Sequence, residues 1–501
     1  MITTIPLNQE NLSNLPESVV VPKYDRNQLQ AGIVHIGVGG FHRSHEAFYT
    51  DEFLSLSQST EWGICGMGLR EADRKIGDIL KQQDYLYTLM VKHPDGRQEN
   101  RVIGSIVDFV MACDDPHAAT DKLAHEQTKI VSLTITEGGY NFNAATNEFD
   151  FSNPDVQYDL EHPDTPKMIF GFLTEALRKR RAAGIPAFTI QSCDNIQHNG
   201  DMTRKMLLAF AEKQDPELAK WIAAEVCFPN AMVDRITPVT TLQDISDLEE
   251  VGVQDLWPVT CEPFTQWIIE DSFSNGRPAW ETVGAQFVTD VTPYELMKIR
   301  LLNAGHSVLG LLGSIHGHET IDGCIADPLF ATYVRRFMDE EATPILQHVD
   351  GIDLDDYKST LIERFGNPNI KDNLARICLE SSSKLPKFLI PTIAENLAKG
   401  GGIKFATLVL AAWCYYSDKG INKFGDTLDI VDEMKDELHQ FASKTESDSL
   451  SFLKLESVFG DLIQNEAFTQ QYCYSVQTLY QNVDIEAQMN ELLGEGVLLT
   501  A

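Results

Sequence analysis

Gly32-Ile33-Val34-His35-Ile36-Gly37-Val38-Gly39-Gly40-Phe41-His42 is the stretch whose reading settles the fold. The apolar, β-branched run predicts a buried strand, the glycines predict a tight turn, and residues 42–56 predict an amphipathic helix. In such a strand-turn-helix unit, glycines let backbone N–H groups and a helix start approach a pyrophosphate. The third position of the dinucleotide fingerprint is His42, where glycine is usual. Two readings follow. Gly37, Gly39, Gly40, Phe41 and His42 form a dinucleotide site, or the segment is a plain turn that needs positive φ at Gly39 or Gly40.

Outward from this unit, strands are expected at 62–67, 129–136 and 187–192, with a helix at 166–183 stopped by Gly184. Strands alternating with helices predict an α/β fold, a Rossmann-type parallel sheet. Asp73, beyond the second strand, is placed to hold a ribose 2′-hydroxyl and repel a 2′-phosphate, which favours NAD; Arg70 and Arg74 could instead hold that phosphate. The pattern changes near residue 288. Thr292-Pro293 reads as the cap and first residue of a long helix running to His306 and on toward Leu312. Helical periodicity then recurs at 329–341, 392–397, 406–416 and 427–442. The expected organisation is an NAD-binding domain over 1–288 and a mostly α-helical substrate domain over 289–501.

With 501 residues the chain is too long for one hydrophobic core, and 43% hydrophobic content supports ordered domains. A net charge of −34 repels nucleic acid and anionic lipid. Nine cysteines without a CxxC pair read as thiols of a reducing compartment. The opening Met1-Ile2-Thr3-Thr4-Ile5-Pro6 lacks a signal-peptide pattern, and the most apolar stretch, 405–416, is too short to span a membrane. A cytoplasmic chain is expected, acting on a small molecule, with a monomer plausible. Gly317-His318-Glu319 is similar to the start of the zinc signature of medium-chain alcohol dehydrogenases, but it follows the nucleotide-binding half instead of preceding it. His316 and His318 are therefore read as helix or loop histidines, and no metal is expected.

The segment from Thr292 to His306 carries the candidate chemistry. With Lys298 at zero and about 100° per residue, Glu295 falls near 60°, His306 near 80° and Asn303 near 140°. One arc holds all four, either as a solvated face or as a site; Leu302 and Gly305 within it suit a packed surface. Lys298, Asn303 and His306 form K-x4-N-x2-H, and this resembles the long-chain polyol dehydrogenases. Residues 226–238 (VCFPNAMVDRITP), Ser192-Cys193-Asp194-Asn195 and residues 382–388 (SSKLPKF) resemble further motifs of that family.

The resemblance implies NAD-dependent, metal-independent interconversion of a sugar alcohol and its ketose, mannitol and fructose first. Reduction of a keto-sugar acid, another polyol such as arabinitol or sorbitol, and a non-enzymatic nucleotide-binding regulator are the alternatives. Lys298 is then the general base, Asn195 and Asn303 hold the reacting oxygen, and His306 orients substrate. Asp234, Arg376 and Lys384 bind the other hydroxyls, and Glu295 passes the proton on. Other readings stand beside these: Asn195 as a helix cap, Asp234-Arg235 as an ion pair, Arg376 and Lys384 as surface charges. A lysine base requires burial to bring its free pKa, near 10.4, down toward neutrality, and an ionised Glu295 would oppose that.

Overall fold

The computed structural model describes residues 4–143 and 146–494; the first three residues of the leader lie outside them. The chain forms two compact units, Met1–Thr292 and Pro293–Ala501.

The first unit is built on five parallel strands: β1 (Ala31–Ile36), β2 (Gly63–Gly68), β3 (Ile106–Met111), β4 (Ile130–Leu133) and β5 (Thr189–Ser192). Their order is β3-β2-β1-β4-β5. Strand order reverses between β1 and β4, the switch point at which doubly wound sheets bind ligands beyond the strands' C-terminal ends. Ile33, Val34 and Ile36 are buried, since β1 is covered on both faces, which accounts for its unbroken apolar run. The Rossmann-type parallel sheet is as the sequence predicts. Strand β3 escapes that reading because Asp108 interrupts its apolar pattern and a register shift bends its pairing with β2.

Two smaller sheets flank it. In one, Tyr87–Lys92 and Gln98–Ile103 form an antiparallel hairpin joined by Val19–Val20 and Val259–Cys261. The other contains Ala231–Asp234, Gln266–Glu270 and Gln286–Val288. The helix expected at 42–56 is two helices, Gly40–Ser44 and Glu46–Ser57, broken at His45 with φ −118° and ψ −92°. The 166–183 prediction holds from Ile169 to Ala183, ended by Gly184 at φ +69°.

The second unit is mostly helical, as expected. Thr292–Met297 runs into a π-helical turn, Lys298–Asn303, and on through Ala304–His316. A second π turn, Met338–Ala342, follows Pro328–Phe337. Ile390–Lys399 and the largely buried Lys404–Lys419 complete the centre of the unit. The helix expected at 427–442 begins only at Lys435. Residues 427–434 instead engage their neighbours: Thr427 bridges Ile421, Val431 O accepts from Glu380 N at 3.0 Å, and Asp432 accepts from Ser382 N at 2.9 Å.

Glu341, buried in the second π turn, accepts the N–H groups of Phe405 (2.6 Å) and Ala406 (2.9 Å) at the start of Lys404–Lys419. Burial outweighs these donors and pushes its carboxyl up to about 7. Because the folded value is raised, the native state holds the proton more tightly than the unfolded chain. Its contribution to stability is therefore largest below about pH 4.5 and is lost as pH rises through about 7. Glu341→Gln should flatten the fall in melting temperature between about pH 5 and 8. Parallel melting curves for variant and parent across that range would contradict this.

Candidate active site

The conformational demand in the glycine turn falls one step earlier than expected. Gly37 has φ +96°, whereas Gly39 is extended at φ −118°, ψ −170°, and Gly40 is not in the left-handed region. A Cβ on Gly37 would lie 2.1 Å from Thr134 O, so glycine is required where β1 passes the end of β4. Thr134 Oγ1 donates to Gly37 O at 2.7 Å and locks that approach. Around Gly39 and Gly40 there is room: the nearest atoms to an added Cβ are Gly37 O at 3.8 Å and the Thr237 methyl at 3.7 Å. As the opening residues of a helix, Gly40, Phe41 and His42 have N–H groups without intrahelical acceptors. This open cradle fits a pyrophosphate.

His42 packs inward. Its ring stacks on His35 of β1 at 3.5 Å, and Glu46 lies 3.7 Å away. Burial, then His35, hold its pKa well below the usual histidine range, so it is a neutral packing group. It fills the helix–strand contact that glycine makes in the usual fingerprint. Its neighbour Arg43, not singled out from sequence, is also buried; it donates to Gly39 O at 3.3 Å and to Trp257 O at 2.7 Å. An arginine directly after the glycine turn was the available signal.

Asp73 follows β2, but one carboxylate oxygen is already engaged by Leu69 N (3.0 Å) and Arg70 N (2.9 Å). Both of these bonds fall on Oδ2. Arg74 is held by Glu71 and Asp114, while Arg70 is exposed.

Past β5, Asp194 accepts from Ile135 N (3.0 Å), Thr136 N (2.9 Å) and Tyr140 Oη (2.7 Å), tying the ends of β4 and β5 together. Burial raises its pKa. Asn195 is the next residue, exposed in the loop. It is not a cap: the helix Asn199–Gln214 is preceded by His198 at φ +51°. Asn199 fastens this loop to the strand of Asp234, donating to Asp194 O at 3.0 Å and Ala231 O at 2.7 Å. Asp234 is buried at the end of Ala231–Asp234. Arg235 donates to Ser44 O (2.6 Å) and Glu262 O (3.1 Å) and lies over the Phe48 ring.

In the second unit, Glu295, Lys298 and Asn303 are buried on one continuous helix, with His306 half-buried against Phe365 at 4.6 Å. The π turn corrects the uniform helical arithmetic. In an α-helix residues five apart diverge by about 140°. Closing hydrogen bonds five residues back draws Asn303 round toward the face of Lys298. Asn303 is 7% exposed, and its Nδ2 has no hydrogen-bond partner among the described residues. A buried amide donor left in this state suits a ligand oxygen. Gly305 is close-packed, as its place in the arc suggested: a Cβ there would lie 3.1 Å from Met338 Cε.

Arg376 and Lys384 both engage neighbouring groups. The half-exposed Arg376 forks Asp372 through Nε and Nη2, and Lys384 donates to Ile377 O at 3.0 Å. Their helices, Leu374–Ile377 and Ser381–Phe388, pack on Ala304–His316, and the latter also packs on the π turn.

Among the described residues, two histidine clusters have metal-like composition. His35, His42 and Glu46 converge, with the two imidazole rings stacked nearly parallel at 3.5 Å and His35 Nδ1 3.0 Å from Glu46. His316, His318 and Asp327 also converge; there Lys423 Nζ lies 3.1 Å from His316 and 3.0 Å from Glu486, so the cluster carries its own cation. A cleft of 440 Å³ lined by Gln30, Glu61, Lys129, Ile185 and Asn275 opens at the N-terminal edge of the main sheet, away from the glycine turn.

Residues 31–282 match the mannitol dehydrogenase Rossmann domain, and residues 290–480 match the mannitol dehydrogenase C-terminal domain. Mannitol 2-dehydrogenase of Phaeosphaeria nodorum is 46% identical over 92% of this chain and 81% of its own length. That of Aspergillus fumigatus is 43% identical over 99% of this chain and 98% of its own. The Pseudomonas fluorescens mannitol 2-dehydrogenase, solved as a ternary complex with NAD and D-mannitol, is 47% identical with a TM-score of 0.89, covering 98% of this chain and 100% of that one. A D-sorbitol dehydrogenase in substrate-free form is 35% identical with a TM-score of 0.89, covering 97% of this chain and 100% of that one.

The turn separates two substitutions. Gly37→Ala meets backbone and should destabilise the first unit by several kcal/mol, read as a lowered melting temperature. Gly40→Ala should fold normally yet weaken NADH binding at least about tenfold by fluorescence titration, because its methyl enters the cradle. Unchanged NADH affinity in folded Gly40→Ala would contradict the assignment.

Proposed function

The chain belongs to the mannitol dehydrogenase family and is an NAD-dependent polyol dehydrogenase; on that premise we propose that it interconverts D-mannitol and D-fructose without a metal, using Lys298 as general base. The observation that carries the reading is the pairing, on one π turn, of a buried lysine with a buried amide whose Nδ2 has no protein acceptor among the described residues. Oxidation breaks the carbinol C–H bond, transfers that hydrogen with its electron pair, and releases the hydroxyl proton as the C=O bond forms. NAD, when bound, accepts the hydride.

The protein's task is the proton and the charge. Lys298 takes the hydroxyl proton, and the buried setting suits a lysine serving as a neutral amine. Asn303 donates to the oxygen as negative charge gathers there, an interaction stronger in the transition state than in the bound alcohol. By motif correspondence, Asn195 is a second donor to that oxygen and His306 orients the substrate. Asp234, Arg376 and Lys384 read the remaining hydroxyls, and Glu295, one turn before Lys298, passes the proton onward. For Arg376 this role uses the guanidinium nitrogen that Asp372 does not engage, Nη1.

Lys298→Ala should lower turnover about 10²–10⁴-fold and remove the basic limb of the pH profile for mannitol oxidation, while NADH affinity stays nearly unchanged. A variant with most of its activity and an unaltered profile would reject the lysine mechanism and leave His306 as the base. Metal independence is tested separately by exhaustive chelation with metal analysis, which should leave activity undiminished. Stoichiometric zinc whose removal abolishes turnover would return His318 to the chemistry.

A further inference from the structure

A π turn is a rare interruption of an α-helix, so the side chains that hold it in place are informative. In the middle of Lys298–Asn303 sits Arg300, 6% exposed, whose guanidinium forks the carboxylate of Glu395 on Ile390–Lys399, with Nη1 3.1 Å from Oε2 and Nη2 on Oε1. The next residue on that helix, Asn396, donates at 2.7 Å to Glu341 O in the second π turn. The two π turns pack against each other, and Gly305 sits tightly on Met338. Adjacent side chains of one helix thus pin both irregular turns.

We propose that Arg300 and Glu395 are positioning residues: their fork holds the π turn open and thereby keeps Asn303 on the face of Lys298. The inference rests on the assignment of Lys298 as base. Arginine suits this task, since a planar fork on a carboxylate fixes orientation as well as distance. Without the fork the turn relaxes toward α geometry, and Asn303 swings away from Lys298 by tens of degrees. Neither residue touches substrate in this scheme. Their effect is on kcat and on the pH at which Lys298 works, not on NAD.

The test is a cycle of Arg300→Met, Glu395→Gln and the double variant, with Arg300→Lys as the conservative control. Glu395 is 42% exposed, so Glu395→Gln leaves packing intact and keeps the test open if an Arg300 variant folds poorly. Each protein is checked by melting temperature and NADH titration before mannitol oxidation is followed against pH. The expected result is a roughly tenfold or greater loss of kcat in Arg300→Met and Glu395→Gln, with a displaced basic limb and NADH affinity unchanged. The double variant should be no worse than the poorer single one, and Arg300→Lys should recover part of the loss. Parental kcat and pH profile in folded Glu395→Gln and Arg300→Met, or strictly additive losses, would overturn the proposal. If Lys298→Ala is inactive while these variants are normal, only this inference fails; if Lys298→Ala is active, the underlying assignment fails.

Discussion

A helix that closes six residues of its path five residues back, instead of four, is the constraint that decides which side chains of the second unit share a face. An uninterrupted α-helix from Thr292 to His316 would put Lys298 and Asn303 about 140° apart. The π turn changes the phase of everything after it while leaving the axis intact. Leu301 and Leu302 stay buried, and the next stretch, Ala304–His316, is enclosed almost throughout. A local departure from α-helical geometry is therefore embedded in dense packing.

The first unit solves a different problem by similar means. Its dinucleotide turn depends on Gly37, whose positive φ and contact with Thr134 O exclude any side chain, and the cradle beyond it is left empty at Gly39 and Gly40. Beneath the cradle, the contact usually made with a glycine is filled by His42 stacked on His35, while Arg43 reaches back to Gly39 O. These polar residues are buried and mutually satisfied in part, so they fix the turn instead of contacting solvent. Asp194 and Asn199 do comparable work past β5, tying the loop of Asn195 to neighbouring strand ends.

The parallel sheet, the glycine turn and the helical second half were legible because each rests on period and turn chemistry. The π turn was not, because helical-wheel arithmetic assumes one angle per residue, and nothing in Lys298–Asn303 announces a wider turn. His45 breaks a helix that its neighbours predict, because the break is set by packing around Trp267 and by the bond from its ring to Gln266 O. Residues 427–434 read as helix on local pattern, yet their backbone and side chains are claimed by Ser382 and Glu380. At Asp73 the residue was well placed, but its engagement with two backbone N–H groups depends on how the loop folds back on Gly68. Residue type and spacing reveal which groups are available; they do not reveal which have already been used.

A buried lysine on the π turn that acts as the base at neutral pH must give up its proton far more readily than a free lysine. Direct titration of lysine side chains by carbon-13 NMR, with the Lys298 resonance assigned by its loss in Lys298→Arg, measures that property apart from turnover. With Lys298 as the base, its midpoint is expected at about pH 7–8 in the NAD-bound enzyme, well below the free value near 10.4. A midpoint at or above about 10 would leave it a permanent cation and contradict the mechanism.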